Sequence, residues 1–294
     1  MKLLFTLAGF LFLAASTGFA SADEPEERLT RALTIDELLS DAEFTRLQPA
    51  PAGADRRPLL AAAGGGIGGW FIPELYFWFP TLRGQIWTNP DYKIDLDSDL
   101  GLDDTQVAVL PQLQFSVWRL GLRFTGYRVD FAGAGTIPGP FEFGGVQFQP
   151  GENVLSDLSI DNYKVTLLFA IVNLPFLAVY AEGGVSYFGI ESTITGQTSG
   201  PATESADLPI PVVGVLAQAH VGRWLFELEV DGLSVTVSDT DVDLLEVQAS
   251  VGFTFFKLFA VHVGYRYTAL AGTDGSLSLD STLDGFYLGA SFRF

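Results

Sequence analysis

The stretch that decides the fold is Asp284-Gly-Phe-Tyr-Leu-Gly-Ala-Ser-Phe-Arg-Phe294, at the end of the chain. Its residues fall into two alternating sets: Phe286, Leu288, Ala290, Phe292 and Phe294 in one, and Tyr287, Gly289, Ser291 and Arg293 in the other. Successive side chains of a strand point to opposite sides, so this period of two predicts a β-strand with one apolar face. A sheet of a soluble protein can show the same pattern, so the choice between a soluble and a membrane protein depends on the rest of the chain.

The stretch also resembles the closing strand of bacterial outer-membrane β-barrel proteins, which typically ends in phenylalanine and is read by the barrel-assembly machinery. The matching residues are Tyr287, Leu288, Phe292 and Phe294. A second segment, Asp99-Leu-Gly-Leu-Asp-Asp104, is similar to one in uncharacterised small outer-membrane barrels of Gram-negative bacteria. The resemblance implies an outer-membrane location, with lipid, lipopolysaccharide and the assembly machinery as partners.

Residues 1–22 have the pattern of a secretory signal peptide: a charged start, an apolar core over 3–13, and the small residues Ala20-Ser21-Ala22 before Asp23. A buried N-terminal helix is the alternative, but the apolar run ends abruptly in an acidic segment. The chain has no cysteine, which excludes a lipoprotein and disulfides. No later apolar run reaches the ~20 residues of a membrane helix, so strands must do any spanning.

Residues 23–66 differ in composition from everything that follows. Thr34-Ile-Asp-Glu37 forms a capping box ahead of two leucines, which indicates one short helix. Segments rich in proline, alanine and glycine come next. We therefore predict a periplasmic tail and linker over 23–66 and a barrel over 67–294. The alternative role for the helix is to dock into the barrel as a plug.

The barrel part shows segments of alternating polarity. They predict ten antiparallel strands of an up-and-down transmembrane barrel, within a range of eight to twelve: 68–88, 105–118, 121–133, 158–172, 176–194, 207–220, 223–237, 242–256, 258–270 and 282–294. Ten is an even number, as in bacterial single-chain barrels. Tight connections alternate with longer ones at 89–104, 134–157, 195–206, 238–241 and 271–281. This asymmetry predicts short periplasmic turns, longer outer loops and both termini in the periplasm.

The polar faces of these strands carry charges that would be costly in hydrocarbon, so we expect them to line the lumen. The candidate lumen residues are Glu74, Arg123, Lys164, Glu182, Glu227, Glu229, Glu246, His262, Arg266 and Arg293. A barrel of ten strands is narrow inside. Two alternatives remain open: a plug of salt bridges, or a narrow or gated polar path.

Charge and motifs narrow the function classes. The net charge of −19 argues against binding nucleic acid, which needs basic patches. The omptin surface proteases are also ten-stranded, but their Asp-x-His motif is absent. The two histidines, His220 and His262, are expected low in the barrel and far from outer-leaflet lipid. We therefore predict a protein that is not an enzyme and has no cofactor, with a carboxylate-based surface hydrolase as a less favoured alternative.

The first outer loop is unusually acidic, with Asp95, Asp97 and Asp99 alternating and Asp103 following a glycine turn. It begins like an EF-hand, but the glycine comes one place late and Gln106 occupies the twelfth position, so that match fails. The carboxylates could still gather calcium or magnesium together with lipopolysaccharide phosphates. A solvated acidic strand extension is the simpler alternative.

The second long loop contains Phe141, Phe143 and Phe148 among prolines and glycines. These aromatics either serve ligand entry or adhesion at the surface or fold inward as a lid, and the pattern favours neither. The function predicted overall is an outer-membrane barrel that provides a narrow or gated path for small solutes, or a structural surface scaffold. Adhesion through the acidic and aromatic loops is the alternative.

Overall fold

The computed structural model describes residues 71–89, 92–237, 240–255, 258–274 and 277–294. The predicted signal peptide and the tail over 23–66, with its helix, lie outside the described residues. Within the described ranges, no helix combines the length and apolarity needed to cross a membrane.

The described chain consists almost wholly of strands. They are β1 Phe71–Trp78, β2 Thr81–Asn89, β3 Tyr92–Asp95, β4 Ala108–Val117, β5 Leu120–Thr136, β6 Phe141–Phe143, β7 Val146–Phe148, β8 Asn153–Leu174, β9 Leu177–Gly196, β10 Gly200–Val221, β11 Trp224–Val237, β12 Thr240–Phe255, β13 Phe259–Asp274 and β14 Leu277–Phe292.

The sheet closes on itself because β1 pairs with both β4 and β14. The order is β1-β4-β5-β8-β9-β10-β11-β12-β13-β14, every pair is antiparallel, and the predicted ten-stranded barrel is confirmed. The predicted first strand, 68–88, is divided at Phe79 and Pro80 into β1 and β2. The Phe79 N–H donates to the Phe286 carbonyl at 2.9 Å, which keeps β2 in register on β14 while β3 folds back on β2.

Several predicted outer connections are wrong because the strands continue through them. β9 and β10 stay paired up to Gly196 and Gly200, so only 197–199 join them. β13 and β14 likewise pair through most of 271–281. In 134–157, β5 runs on to Thr136, β8 begins at Asn153, and the β6–β7 hairpin lies between them. These segments are rich in polar residues and glycine, as loops are. The backbone groups of a long hairpin nevertheless pair with each other, so the strands continue.

The outer face carries an apolar belt with members on every barrel strand. Exposed members include Leu75, Val109, Phe115, Phe124, Val165, Leu167, Val185, Val213, Val230, Leu245, Val263 and Phe286. A continuous apolar surface of this extent is not that of a water-soluble protein. Exposed charged side chains such as Arg128 and Asp130 begin directly beyond the belt, away from the chain ends. The outer face is therefore that of a transmembrane barrel with exposed charged side chains at one rim.

The interior has two zones whose polarity is the reverse of the outer face, and β8 shows both. At the level of the belt, Lys164 points inward and Val165 outward. Nearer the outer end, Leu158 and Ile160 point inward and Asp161 outward. The long strands β5, β8, β9 and β10 thus project beyond the membrane and enclose an apolar core there.

The outer end of the barrel is filled by two inserted segments, 94–104 and 137–152, here called the mouth plug. The first segment buries Leu96, Leu100 and Leu102. The second buries the loop aromatics, Phe141, Phe143 and Phe148, in the same core. Of the two alternatives for these aromatics, inward folding as a lid is the one that the structure shows.

Candidate functional site

The buried, inward-facing polar side chains at the level of the belt are here called the lumen network. The structure places most of the predicted lumen residues in it, on strands around the barrel: Glu74 on β1, Arg123 on β5, Lys164 on β8, Glu182 on β9, Glu227 and Glu229 on β11, Glu246 on β12, and His262 and Arg266 on β13. Asp231, Gln112, Gln114, Gln218 and Gln248 complete the network. Arg293 lies just after β14, at the end of the barrel that holds the tight turns.

Arg123 is the centre of the part of the lumen network nearer the tight turns, and it is 1% exposed. Its Nη2 donates to Glu227 Oε1 at 2.7 Å and to Gln112 Oε1 at 2.8 Å. The same nitrogen lies 3.1 Å from a Glu229 oxygen and 3.9 Å from Glu74. One guanidinium therefore joins side chains from β1, β4 and β11 across the lumen.

Lys164 is the second cationic centre. Its Nζ donates to Glu229 Oε1 and to Asp231 Oδ2, both at 2.7 Å, and lies 3.1 Å from Glu246 Oε2. Glu229 contacts both Arg123 and Lys164, so it links the two centres. The network is therefore continuous across the barrel interior.

Arg266 lies at the edge of the lumen network that is nearest the outer end of the barrel. It donates to Glu246 at 2.5 Å and to Gln248 at 3.0 Å. The central carbon of its guanidinium group, Cζ, lies 5.7 Å from the centre of the Trp78 ring and 5.2 Å from the centre of the Tyr127 ring. These cation–π contacts bring the charged network against the apolar core of the outer zone.

The two histidines have separate partners. His262 Nε2 lies 2.8 Å from Ser291 Oγ, and its Nδ1 has no hydrogen-bond partner. His220 Nε2 accepts from Arg293 Nη1 at 2.6 Å. A serine and histidine are thus adjacent, but the carboxylate that orients the base in a nucleophilic triad is not bonded to His262.

The acidic outer-loop side chains are used in local turns. The Asp99 carboxylate accepts from the Asp95 N–H at 2.9 Å, and that of Asp97 accepts from the Ser98 N–H at 2.9 Å. Among the described residues, Asp95, Asp97, Asp99 and Asp103 do not form a cluster of three carboxylates close enough to share an ion. A calcium or magnesium ion at this loop stays a prediction that would need further ligands, such as lipopolysaccharide phosphates.

Glu152 joins the mouth plug to the turn between β9 and β10. Its carboxylate accepts from the backbone N–H groups of Thr198 and Ser199, each at 2.7 Å, and from the Ser199 hydroxyl at 2.7 Å. The Gln149 N–H adds a fourth bond at 3.1 Å. These bonds, the Ser199 hydroxyl first, lower the pKa of Glu152 to about 2.

The residues of the predicted assembly signal divide between the two faces of β14 and the chain end. Tyr287 is buried against Tyr76, with ring centroids 4.9 Å apart. Leu288, Phe292 and Phe294 are exposed on the outer face. Recognition of these residues by the assembly machinery stays a prediction.

Sequence reasoning gave inward folding of the second segment of the mouth plug as one of two alternatives, but it did not identify the first segment, 94–104, as part of a plug. The signal was present in the first loop, where leucines at 96, 100 and 102 are interspersed with aspartates. Apolar residues in that arrangement indicate a buried face, as in a strand or a tight turn against a core. The aspartates in the same loop favour a solvated extension instead, so the two signals in this segment conflict.

Comparison with solved structures supports the fold. The outer-membrane protease OmpT of Escherichia coli aligns with a TM-score of 0.52 at 6% identity, covering 76% of this chain and 96% of OmpT. The transport unit of the autotransporter AIDA-I of E. coli aligns at 0.42, with 9% identity and coverage of 76% and 90%. Ail, the attachment invasion locus protein of Yersinia pestis, aligns at 0.33, with 11% identity and coverage of 76% and 99%. The likeness to OmpT shows the fold alone, and the two lower scores carry no argument.

A family model described as YfaZ precursor matches residues 233–294, from β11 to the chain end, which is less than half of the chain. No curated protein sequence matches this chain. The closed barrel and its apolar belt place the protein in the outer membrane of a Gram-negative bacterium, as the sequence predicted.

Proposed function

We propose that this protein is a closed outer-membrane barrel that acts as a surface scaffold, without enzymatic activity and without an open path. The observation that carries the proposal is that inward-facing side chains of the described residues are buried at every level of the barrel. The mouth plug occupies the outer end, and the lumen network lies at the level of the belt. A small apolar cluster of Leu168, Ala170, Ala178, Tyr180 and Leu216 lies near the opposite end.

The lumen network opposes conduction for an energetic reason. A solute that passed would have to separate Arg123 from Glu227 and Lys164 from Glu229, pairs that are buried and 2.7 Å long. Separating buried partners leaves charges without compensation, which costs several kcal/mol per pair. A barrel of ten strands offers little width to bypass them.

Planar-bilayer recording of the refolded mature chain tests the proposal. We expect no discrete openings in the native chain, nor in a variant whose 141–148 hairpin is replaced by a short glycine-serine turn, because the lumen network remains. An outer-membrane porin with a known open channel, refolded and recorded in the same way, is the positive control and should conduct. Discrete openings in the native chain would refute the closed scaffold and restore the gated path.

A surface-interaction role is the second candidate, favoured by a charged groove on the outer face just beyond the belt. Arg128 lies there 3.2 Å from Asp130 and 3.4 Å from Asp161, with Glu191 and Asp207 on the same groove. This level corresponds to lipid headgroups, so lipopolysaccharide is the partner we propose. Arg128 would contact a phosphate, and divalent cations would bridge phosphates to the carboxylates.

Binding of purified lipopolysaccharide to the refolded chain in the presence of Mg²⁺ tests this role. Arg128→Ala should weaken binding. Arg223→Ala, which removes an exposed arginine from a tight turn at the opposite end, should leave it unchanged. Equal binding by both variants would exclude the groove as the contact.

A further inference from the structure

The lumen network contains more acids than bases. Its buried carboxylates are Glu74, Glu182, Glu227, Glu229, Asp231 and Glu246, and its buried cations are Arg123, Lys164 and Arg266. The carboxylates still outnumber the bases when Arg293, near the end of the barrel, is included. Buried charge without compensation is strongly unfavourable, so something else must neutralise the excess.

The strand register brings two of these carboxylates together across a space without a side chain. Gly214 on β10 is directly opposite Glu182 on β9 and also directly opposite Asp231 on β11. A Cβ atom at Gly214 would lie 2.4 Å from the Asp231 Cβ, so no larger residue fits there without movement. The glycine therefore leaves the two acidic side chains facing one another over bare backbone.

Oxygens in this place lack partners although they are buried. Glu182 is 6% exposed, and neither of its carboxylate oxygens has a hydrogen-bond partner. Asp231 is 2% exposed, and its Oδ1 has none either. Glu229 Oε2 lies 3.1 Å from Arg123 but makes no hydrogen bond. One oxygen from each of the three carboxylates falls within 4.8 Å of the others.

Lys164 holds the remaining oxygens of this cluster. It binds Glu229 Oε1 and Asp231 Oδ2, which directs their other oxygens away from the ammonium group. Among the described residues, no ion pair within 4.0 Å reaches Glu182. The cluster thus has two carboxylates fixed in position and a third with no cation of its own.

We propose that Glu182, Glu229 and Asp231 bind one divalent cation inside the barrel. Ligands that are all carboxylate oxygens suit Ca²⁺, Mg²⁺ or Mn²⁺ rather than metals that prefer nitrogen or sulfur. Two oxygens that each lie about 2.0–2.6 Å from one ion are at most about 5 Å apart, and the three carboxylate oxygens, all within 4.8 Å of one another, satisfy this limit. The ion offsets two of the three excess negative charges. This site is separate from the acidic outer loop and does not depend on the scaffold role.

The position of the site suggests how the ion is loaded. The mouth plug and the apolar core lie on one side, and the small apolar cluster that includes Leu168 and Leu216 lies toward the other. An ion enclosed in this way is taken up during folding and released slowly. Retention after a chelator wash therefore distinguishes it from ions bound at the exposed loops.

The experiment refolds the mature chain with Mn²⁺, washes it with EDTA, and measures the manganese released by acid, using the electron paramagnetic resonance signal. We expect one equivalent per chain. Glu182→Gln should retain at least about tenfold less, since even residues that only support a ligand change affinity by that much. Glu204→Gln, at an exposed position on the neighbouring strand β10 and outside the charged groove, is the matched control and should retain the native amount.

Folding is checked by the mobility shift between heated and unheated samples in gel electrophoresis. Asp231→Asn provides a second test if Glu182→Gln does not fold, and it should show the same loss. Equal retention by the native chain and a folded variant would refute the site. An absence of retained Mn²⁺ in the native chain would also refute it, and would mean that protons neutralise the excess carboxylates.

Discussion

Removal of the Arg123 side chain should destabilise the barrel far more than removal of Arg128 from the same strand. The Arg123 side chain is 1% exposed and forms ion pairs with three carboxylates across the lumen, those of Glu74, Glu227 and Glu229. The Arg128 side chain is 60% exposed and forms ion pairs with two, Asp130 on its own strand and Asp161 on the neighbouring strand. The two arginines differ mainly in their surroundings. Comparing them separates the effect of burial from the effect of charge.

The magnitude follows from the partners that Arg123 leaves behind. Glu227 would lose a 2.7 Å bond, Gln112 a 2.8 Å bond, and Glu229 a cation at 3.1 Å. Removing one partner of a buried ion pair costs about 3–5 kcal/mol, because the other charge stays buried without compensation. Arg128→Ala should change the free energy of unfolding little, since exposed ion pairs are screened by water and salt.

The assay is reversible urea unfolding of the barrel in phospholipid vesicles, followed by tryptophan fluorescence. The double variant Arg123→Met with Glu227→Gln should be more stable than Arg123→Met alone, because it leaves fewer charges without a partner. Similar losses for Arg123→Ala and Arg128→Ala would refute the reasoning. So would a double variant that is less stable than the single one.

The mouth plug provides three further predictions. The lowered pKa of Glu152 means that its hydrogen bonds stabilise the plug fully above pH ~4.5, and that this stabilisation is lost as the pH falls toward about 2. At pH 6, amide hydrogen exchange at Thr198 and Ser199 should therefore be faster in Glu152→Gln than in the native chain. The difference should vanish at low pH. A Cβ at Gly101, which has φ +70°, would lie 2.4 Å from the Ala134 carbonyl oxygen, so Gly101→Ala should loosen the plug by more than the ~1–3 kcal/mol of backbone strain alone. Gly145→Ala, with φ +71° and open space around it, is the control in limited proteolysis. Phe148→Ala should open a cavity in the outer zone and raise the protease sensitivity of 137–152, whereas the native chain should resist cleavage there.

The membrane part of the barrel could be predicted from the sequence because lipid imposes a strict alternation. In β8 and β14 every second residue has to be apolar, so the phase of the pattern reveals the inward face directly. Lys164 and Arg266 could be assigned to the lumen for this reason. The strand number follows from counting such segments.

The part beyond the membrane obeys a weaker rule, and sequence reasoning failed there. Strand extensions such as 200–206 have polar outer faces and few apolar inner residues, so they resemble loops. The facing of Glu182 and Asp231 across Gly214 depends on the register of three strands, which is set by long-range pairing. No local pattern contains that information.

The reversal of polarity along β8 has a consequence for how the protein sits in its membrane. Movement toward the cell interior would drag Asp161 and its neighbours into hydrocarbon, and movement outward would expose Val165 and Leu167 to water. Either displacement is opposed all round the circumference, since the belt has members on every strand. The barrel therefore has a defined immersion depth in the membrane. The projecting end of the barrel lies at a constant height above the lipid surface.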